Sequence, residues 1–380
     1  MYPALAVLQE MRNNLAELSD TKIRSETATV TKSINVHNQI LWVGSTGGME
    51  KDLVERSGIP FKSIPAAGLH GVGWRALPGN LRQMVRGYQQ AKRILDEFQP
   101  DTLFLTGGYI AAPVALAGRK IPSLLFVPDI EPGLALKMVA RFANRIALST
   151  EESCRYFPRR KGIVVTGYPT RKDLQKWDIA SARRLFDLSS ELPVLLVFGG
   201  SKGARSINRA LLFALPELLQ EMQVVHISGD LDWPEIDKAR KELPIRTAYS
   251  DRYKAFPYLH DEMGAAFTVA DLVVSRAGAS VLGEFPLFGL PAILVPYPYA
   301  WRYQQLNAQY LARRGAALII NDTDLQKKLS TEVKNLVRDQ DRLERMRIAM
   351  QSLAQLNAAR EIATILQEMA ISSNGERKSQ

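Results

Sequence analysis

Ten short apolar runs alternate with segments of helix length from residue 40 almost to the end of the chain, and this alternation constrains the fold more than any other feature. The first five are "ILWVGS" (40–45), "DTLFLTG" (101–107), "PSLLFVPD" (122–129), "RIALST" (145–150) and "GIVVTG" (162–167). The second five are "PVLLVFGG" (193–200), "VVHISG" (224–229), "DLVVSRAG" (271–278), "PAILVPYP" (291–298) and "AALIIN" (316–321). They are rich in Val, Ile and Leu and do not alternate with polar residues, the pattern of parallel strands covered on both faces. Segments such as "NLRQMVRGYQQAKRILDEFQ" (80–99) supply the crossover helices. Repeated strand–helix units predict an α/β chain with two doubly wound parallel sheets. Ligands of such sheets sit beyond the carboxyl ends of the strands, here expected in a cleft between two domains.

The expected division is 1–168, 169–355, a C-terminal helix over 356–370 packing back on the first domain, and a disordered tail over 371–380. Residues 19–39 are polar and aperiodic and read as a loop or insertion. The start is unusual. A doubly wound domain should open with a strand, yet "MYPALAVLQEMRNNLAEL" has helical period from its first residues, so a first strand and its turn are missing.

At 380 residues and 46% hydrophobic, the chain is large enough for two cores. Its apolar runs fall short of the ~20 residues that a spanning helix needs. No secretory signal precedes the first helical pattern, so the cytoplasm is the expected compartment. The single cysteine, Cys154, rules out an intrachain disulfide and a cysteine-cluster metal site, and the four histidines show no ligand spacing. A structural zinc is therefore not expected, and no residue pattern calls for another cofactor. A net charge of +10 favours an anionic partner, either nucleic acid or an anionic membrane surface.

Two turns carry the chemistry. In "LPVLLVFGGSKGARSINRALL" (192–212) a strand ends at Gly199-Gly200-Ser201 and a helix follows whose apolar face runs Ile207, Leu211, Ala214, Leu218. Glycines let the backbone approach a ligand closely, and the N–H groups of a first helical turn attract anions. Ser201 can cap that helix and donate to a phosphate. A tight turn with no ligand would use the same residues, and the spacing is neither a P-loop nor the full dinucleotide fingerprint. The second turn, Gly278-Ala279-Ser280 in "DLVVSRAGASVLGEFPLFGLPAILVPYP", again joins a strand to a helix, and Glu284 within it can accept hydrogen bonds from a ribose diol. Two anion-binding turns and a carboxylate in one domain fit a nucleoside diphosphate.

Together with "YPALAVLQE", "WVGSTGGMEKDLVERSGIPFKSIPAAGLHG", "GGYIAAPVALAG", "GYPTR" and "QQLNA", these segments make the chain resemble the MurG family. That family adds N-acetylglucosamine to lipid-linked muramyl-pentapeptide in peptidoglycan synthesis. The matching segments come in the family's order over about residues 2 to 320. The resemblance implies the GT-B architecture, inversion at the anomeric carbon, chemistry without a metal, and a peripheral place on the cytoplasmic face of the membrane. On the donor side it implies that Gly200, Ser201 and Arg171 meet the UDP diphosphate, with Gly278, Ala279 and Ser280 supplying backbone donors. Glu284 would hold the ribose, His260 in "YLHDEM" would read uracil through its backbone, and Gln304 and Asn307 would bind sugar hydroxyls. On the acceptor side it implies Gly107, Gly108 and Tyr109. An ion pair at Arg171, or helix capping at Gln304 or Asn307, would be the ordinary structural use of each residue alone.

The chain departs from that pattern on the acceptor side. Met1 stands at about the place of a histidine that closes the family's glycine-rich turn, so the usual catalytic candidate is absent, and a misassigned start or a truncation is the expected reason. The family's His-Glu-Gln-Asn run is replaced by Pro128, Asp129, Ile130, Glu131 and Pro132, His70 stands for an arginine, and Tyr168 for an asparagine. The catalytic base is therefore unassigned, with Asp129 and Glu131 as weak candidates that could equally cap the following helix. A different lipid acceptor, or a non-catalytic UDP-sugar or membrane-binding protein, stays open as an alternative.

The positive charge gathers in "GLHGVGWRALPGNLRQMVRGYQQAKR" (68–93). Trp74, Leu77 and Leu81 lie among Arg75, Arg82 and Arg86, as an interfacial membrane anchor requires. An amphipathic core helix with a solvated basic face would read the same way. A lipid-borne acceptor favours the membrane over nucleic acid.

Overall fold

The computed structural model describes residues 2–24, 40–47, 50–66, 77–157, 162–200, 203–242, 247–299 and 302–378. They form two compact units, one of residues 1–128, 132–169 and 357–380, the other of 129–131 and 170–356.

The first unit begins with α1 (Tyr2–Arg24), β1 (Trp42–Ser45), α2 (Glu50–Arg56), β2 (Phe61–Ile64), α3 (Leu77–Phe98) and β3 (Leu103–Leu105). It continues with α4 (Ala111–Ala117), β4 (Ser123–Val127), α5 (Leu134–Val139), β5 (Arg145–Leu148) and β6 (Ile163–Val165). Strands β3 to β6 form a parallel sheet in chain order, and β1 and β2 form a separate parallel pair. Every residue of β4 is buried, and after Ser123 its sequence is apolar throughout. Leu41 and Val43 pack into the same apolar cluster as Leu103 and Leu105, although β1 and β3 do not pair among the described residues. A doubly wound order places its first strand at the centre of the sheet. Among the described residues the strands of this unit lie in two parallel groups.

The second unit holds α6 (Ile179–Leu185), β7 (Val194–Phe198), α7 (Arg205–Leu218), β8 (Gln223–Ile227), α8 (Trp233–Glu242), β9 (Tyr253–Phe256) and α9 (Met263–Val269). After these come β10 (Leu272–Ser275), α10 (Glu284–Phe288), β11 (Ala292–Leu294), α11 (Tyr303–Arg313), β12 (Ala317–Ile319), α12 (Leu325–Arg338) and α13 (Gln340–Gln351). Its six strands are parallel in the order β12-β11-β10-β7-β8-β9. Along β7, Val194 and Leu196 enter one apolar cluster while Leu195 and Val197 enter the other, so the sheet carries a core on each face. Each fully buried Leu, Val or Phe contributes about 1.5–3 kcal/mol there.

The chain ends in α14 (Ala358–Lys378), which belongs to the first unit and packs on α1. Arg360 Nε lies 4.0 Å from the buried Glu10 carboxylate, and Arg145 Nη1 lies 3.5 Å from Glu368.

Three expectations change. The loop expected over 19–39 is helical as far as Arg24, its remaining residues lying outside the described set, and the tail expected to be disordered from 371 is helical to Lys378. Strands β2 ("FKSI") and β9 ("YKAF") carry no continuous apolar run, because each has only four residues and a lysine interrupts it, so no run marks them in the sequence.

His226 on β8 is a polar group inside the second core. It is fully buried, with Nδ1 2.8 Å from the Tyr253 hydroxyl and Nε2 3.0 Å from Asn208 Oδ1. Burial pulls its pKa from 6.5 down to about 3, so the ring is neutral. Asn208 in turn donates to Ser228 O and to Asp232 Oδ2, both at 2.9 Å, tying α7 to the end of β8.

Candidate functional site

In the second unit the carboxyl end of β7 opens into the first glycine turn. Gly200 has φ +90° and Gly203 φ +76°, a region that side chains other than glycine's rarely enter, and Gly203 N–H closes the turn on Gly200 O at 2.9 Å. A Cβ on Gly199 would lie 2.3 Å from Ala204 N, and one on Gly203 would lie 2.2 Å from Ser228 O. The backbone can follow this path only without those side chains. Helix α7 then starts at Arg205 with Ala204 as its N-cap, so the cap position is not Ser201 as expected. Ser201 itself lies outside the described residues.

The second turn leaves β10. Gly278 begins a 3-10 turn over Ala279–Leu282, which leads through Gly283 into α10 at Glu284. The first N–H groups of such a turn have no acceptor within it and point outward. Glu284 is half-buried and accepts a hydrogen bond from the Ser280 hydroxyl. Desolvation raises its pKa from 4.5 to about 7 against the opposing pull of Ser280 and of Arg171. Arg171 therefore acts on Glu284 electrostatically, and it also pairs with Asp173 at 3.2 Å. The sequence reading passed over Asp173, which sits two residues from Arg171 in a stretch with no motif of its own.

Helix α11 adds a third element. Asn307 is fully buried, donates from Nδ2 to Asp129 Oδ1 at 2.8 Å and to Ala277 O at 3.1 Å, and accepts from Ile130 N–H at 3.1 Å. Both amide hydrogens are committed, so Asn307 braces residues 129–130 against the second turn instead of meeting sugar hydroxyls directly as expected. Gln304 accepts from Tyr297 N–H at 2.8 Å, and its NH2 group is not engaged among the described residues. Glu131 is buried, and both of its oxygens are held by the Arg302 guanidinium, one of them at 2.8 Å. A carboxylate held by such a fork is engaged at both oxygens, which makes Glu131 the weaker of the two candidate bases. Asp129 accepts from Asn307 through Oδ1, and desolvation raises its pKa. Arg302 escaped the sequence reading because its partner lies 171 residues away. His260 is exposed, its N–H bonded to Glu262 Oε2 at 3.1 Å and its ring 4.8 Å from that of Tyr258. Among the described residues no group of three His, Cys, Asp or Glu side chains could hold a metal ion.

In the first unit, Gly107 (φ +100°) and Gly108 (φ +77°) turn the chain from β3 toward α4, and the Tyr109 side chain is exposed. Tyr168 packs edge-on against Phe126 at 6.0 Å. On α3 the buried face is Gly87, Ala91, Ile94 and Leu95, while Leu81, Arg82, Val85 and Arg86 are exposed together in its first turns. Trp74 and Arg75 lie outside the described residues, as does the side chain of Leu77. Among the described residues no helix is long and apolar enough to cross a membrane.

Known proteins share this arrangement. The glycosyltransferase family 28 N-terminal domain matches residues 28–148 and the glycosyltransferase family 28 C-terminal domain matches residues 194–364. A Roseiflexus protein named UDP-N-acetylglucosamine–N-acetylmuramyl-(pentapeptide) pyrophosphoryl-undecaprenol N-acetylglucosamine transferase is 38% identical, over 98% of this chain and 92% of its own. A protein of the same name from Desulforamulus reducens is 32% identical over 97% of this chain and 95% of its own. The crystal structure of Acinetobacter baumannii MurG superposes with a TM-score of 0.69 at 23% identity, covering 97% of this chain and 95% of that one, which shows the GT-B fold. Matched in both halves and 32–38% identical to these relatives along nearly its whole length, the chain belongs to glycosyltransferase family 28 and, within it, to the MurG family.

Proposed function

We propose that this protein transfers N-acetylglucosamine from UDP-N-acetylglucosamine to muramyl-pentapeptide pyrophosphoryl-undecaprenol, the reaction for which its relatives are named. The carrying observation is that Arg171, Glu284 and the Gly278-Ala279-Ser280 turn come together in the second unit, beside the Gly199–Gly203 turn of the neighbouring strand. The backbone N–H groups of the two turns and the Arg171 guanidinium face the UDP diphosphate. They stabilise the charge that grows on it as the glycosidic bond breaks, with no metal required. Glu284 accepts from the ribose hydroxyls, His260 presents its backbone carbonyl to uracil while its N–H is held by Glu262, and Gln304 offers its NH2 to the sugar.

The acceptor hydroxyl attacks the anomeric carbon from the face opposite UDP, which inverts the centre. Its proton passes to a base, for which Asp129 is the better candidate of the two carboxylates, since burial raises its pKa while Arg302 holds both oxygens of Glu131. Gly107, Gly108 and Tyr109 belong to the acceptor side. Leu81 and Val85, flanked by Arg82 and Arg86, give the protein a peripheral hold on the anionic cytoplasmic face of the membrane that carries the acceptor.

Titration calorimetry with UDP and UDP-N-acetylglucosamine, followed by a transfer assay on the lipid-linked muramyl-pentapeptide, tests the reading. Absence of donor binding by the folded protein overturns it. The Glu131–Arg302 pair, standing where the family motif differs, favours a second reading in which the acceptor is another lipid. Transfer to a simple glycerolipid but not to the muramyl lipid would establish that reading.

A further inference from the structure

Arg276 lies between β10 and the second turn, and its side chain gathers the carboxyl ends of four neighbouring strands. Nη2 donates to Ser206 Oγ at 2.8 Å, on the first turn of α7 just beyond the first glycine turn. Nη1 donates to Val295 O at 3.1 Å, where β11 ends, and to Asp322 Oδ1 at 2.5 Å, beyond β12. The Ser206 hydroxyl donates to the same Asp322 oxygen at 2.7 Å, so the three side chains form a closed ring of hydrogen bonds. The Tyr297 ring covers the guanidinium, with Cζ 5.1 Å from its centroid. Arg276 is 10% exposed and Asp322 22%, so the pair is shielded and locally neutral.

We infer that Arg276, acting with Ser206 and Asp322, is a positioning residue that fixes the spacing between the two glycine turns and so shapes the cradle for a diphosphate. The inference rests on the donor reading above. The turns carry backbone donors, and a backbone donor is effective only within a few tenths of an ångström of its place. Nothing in the β10–β7 ladder fixes that spacing, because the last paired residues are Ser275 and Phe198, before either turn begins. The guanidinium supplies the link. Its planar fork reaches Ser206 and Asp322 at once, which a lysine ammonium does not reproduce. Asp322 cancels the charge, so the phosphates meet backbone donors and Arg171 and are not drawn to Arg276 itself.

The test compares ligands with and without phosphates. Calorimetry on the full chain would measure UDP and uridine binding by wild type, Ser206→Ala, Ser206→Thr and Arg276→Lys. Ser206→Ala removes one hydroxyl and keeps the Arg276–Asp322 pair, so it folds even if Arg276→Lys does not. UDP affinity is expected to fall about tenfold in Ser206→Ala and in Arg276→Lys. Uridine affinity stays at the wild-type value, because uracil and ribose are held elsewhere, and Ser206→Thr restores UDP binding. Equal losses for UDP and uridine would mean that the ring only supports the fold, and the inference fails. UDP binding within twofold of wild type in Ser206→Ala also overturns it. No UDP binding by the wild-type protein would overturn the donor reading, and this inference with it.

Discussion

The Asn307 carboxamide donates to Asp129 Oδ1 at 2.8 Å, across 178 positions of sequence, and with its carbonyl accepts from the N–H of Ile130. One side chain on α11 thus fixes the strand-end carboxylate that is the better candidate base, and its second amide hydrogen ties both to Ala277 O beside the second turn. Replacing Asn307 with Ala takes one hydrogen-bond partner from the Ile130 amide, the Ala277 carbonyl and the Asp129 carboxylate in a buried place, and should cost about 2–4 kcal/mol in stability by denaturant titration. Asn307→Asp tests the charge. A second carboxylate against Asp129 makes the variant lose more stability at about pH 8 than at about pH 5, where the two can share a proton. A variant as stable as wild type at both would refute the brace.

Glu284 gives a pH signature to donor binding. Its pKa is raised from 4.5 to about 7 by burial, so the folded chain keeps a proton that the unfolded chain has released. The stability this group contributes is complete below about pH 4.5 and is lost as pH rises through about 7. Ribose hydroxyls donate to the ionised form, so the affinity for UDP-N-acetylglucosamine should rise from about pH 6 to about pH 8 with release of a proton. Calorimetry in two buffers of different ionisation enthalpy would count that proton. In Glu284→Gln the release should vanish, and affinity should fall by about 1–3 kcal/mol.

His226 controls a second pH window. Its pKa falls from 6.5 to about 3 on burial, so between those values the unfolded chain binds a proton that the folded chain refuses. Stability should therefore decline as pH drops from about 6.5 toward about 3, at up to about 1.4 kcal/mol per pH unit from this group. In His226→Gln that slope should flatten, while the baseline falls because the Tyr253 hydroxyl or Asn208 Oδ1 loses its partner. Denaturant titrations across pH measure both. An unchanged slope would mean that the ring is not the titrating group.

Gly203 is where the first turn meets β8. Gly203→Ala would push a Cβ to 2.2 Å from Ser228 O at φ +76°, so backbone must move. The expected result is a loss of at least about 1–3 kcal/mol in stability together with weakened UDP binding. Gly108→Ala, at φ +77° but with open space around it, should cost about 1–2 kcal/mol and leave UDP binding intact.

The α3 patch is tested with vesicles. Changing Arg82 and Arg86 to Glu should release the protein from anionic vesicles, each lost cation removing about 1 kcal/mol of attraction. Sedimentation at low and at high salt reads the effect, because screening weakens the wild-type contact over a Debye length of about 8–10 Å. Equal sedimentation of wild type and variant would make the patch ordinary surface.

Strand placement was legible in the sequence because parallel strands buried on both faces must be continuously apolar, as β4 and β7 are. The first glycine turn was legible because Gly200 occupies a backbone conformation that few other residues adopt, and the second because a glycine follows directly on an apolar run. Strands β2 and β9 were not, since a lysine interrupts each four-residue stretch and leaves no run. The long-range polar partners were equally hidden. Asn307 stands in a motif that suggests a sugar ligand, yet its partners Asp129 and Ile130 are set by the crossing of distant loops. The Arg302–Glu131 fork, the Arg276–Ser206–Asp322 ring and the raised pKa of Glu284 have the same origin. Hydrophobic period and turn geometry are local and leave a mark within a few residues. Hydrogen-bond partnership and desolvation depend on which segments the packed sheet brings side by side, and only the tertiary structure decides that.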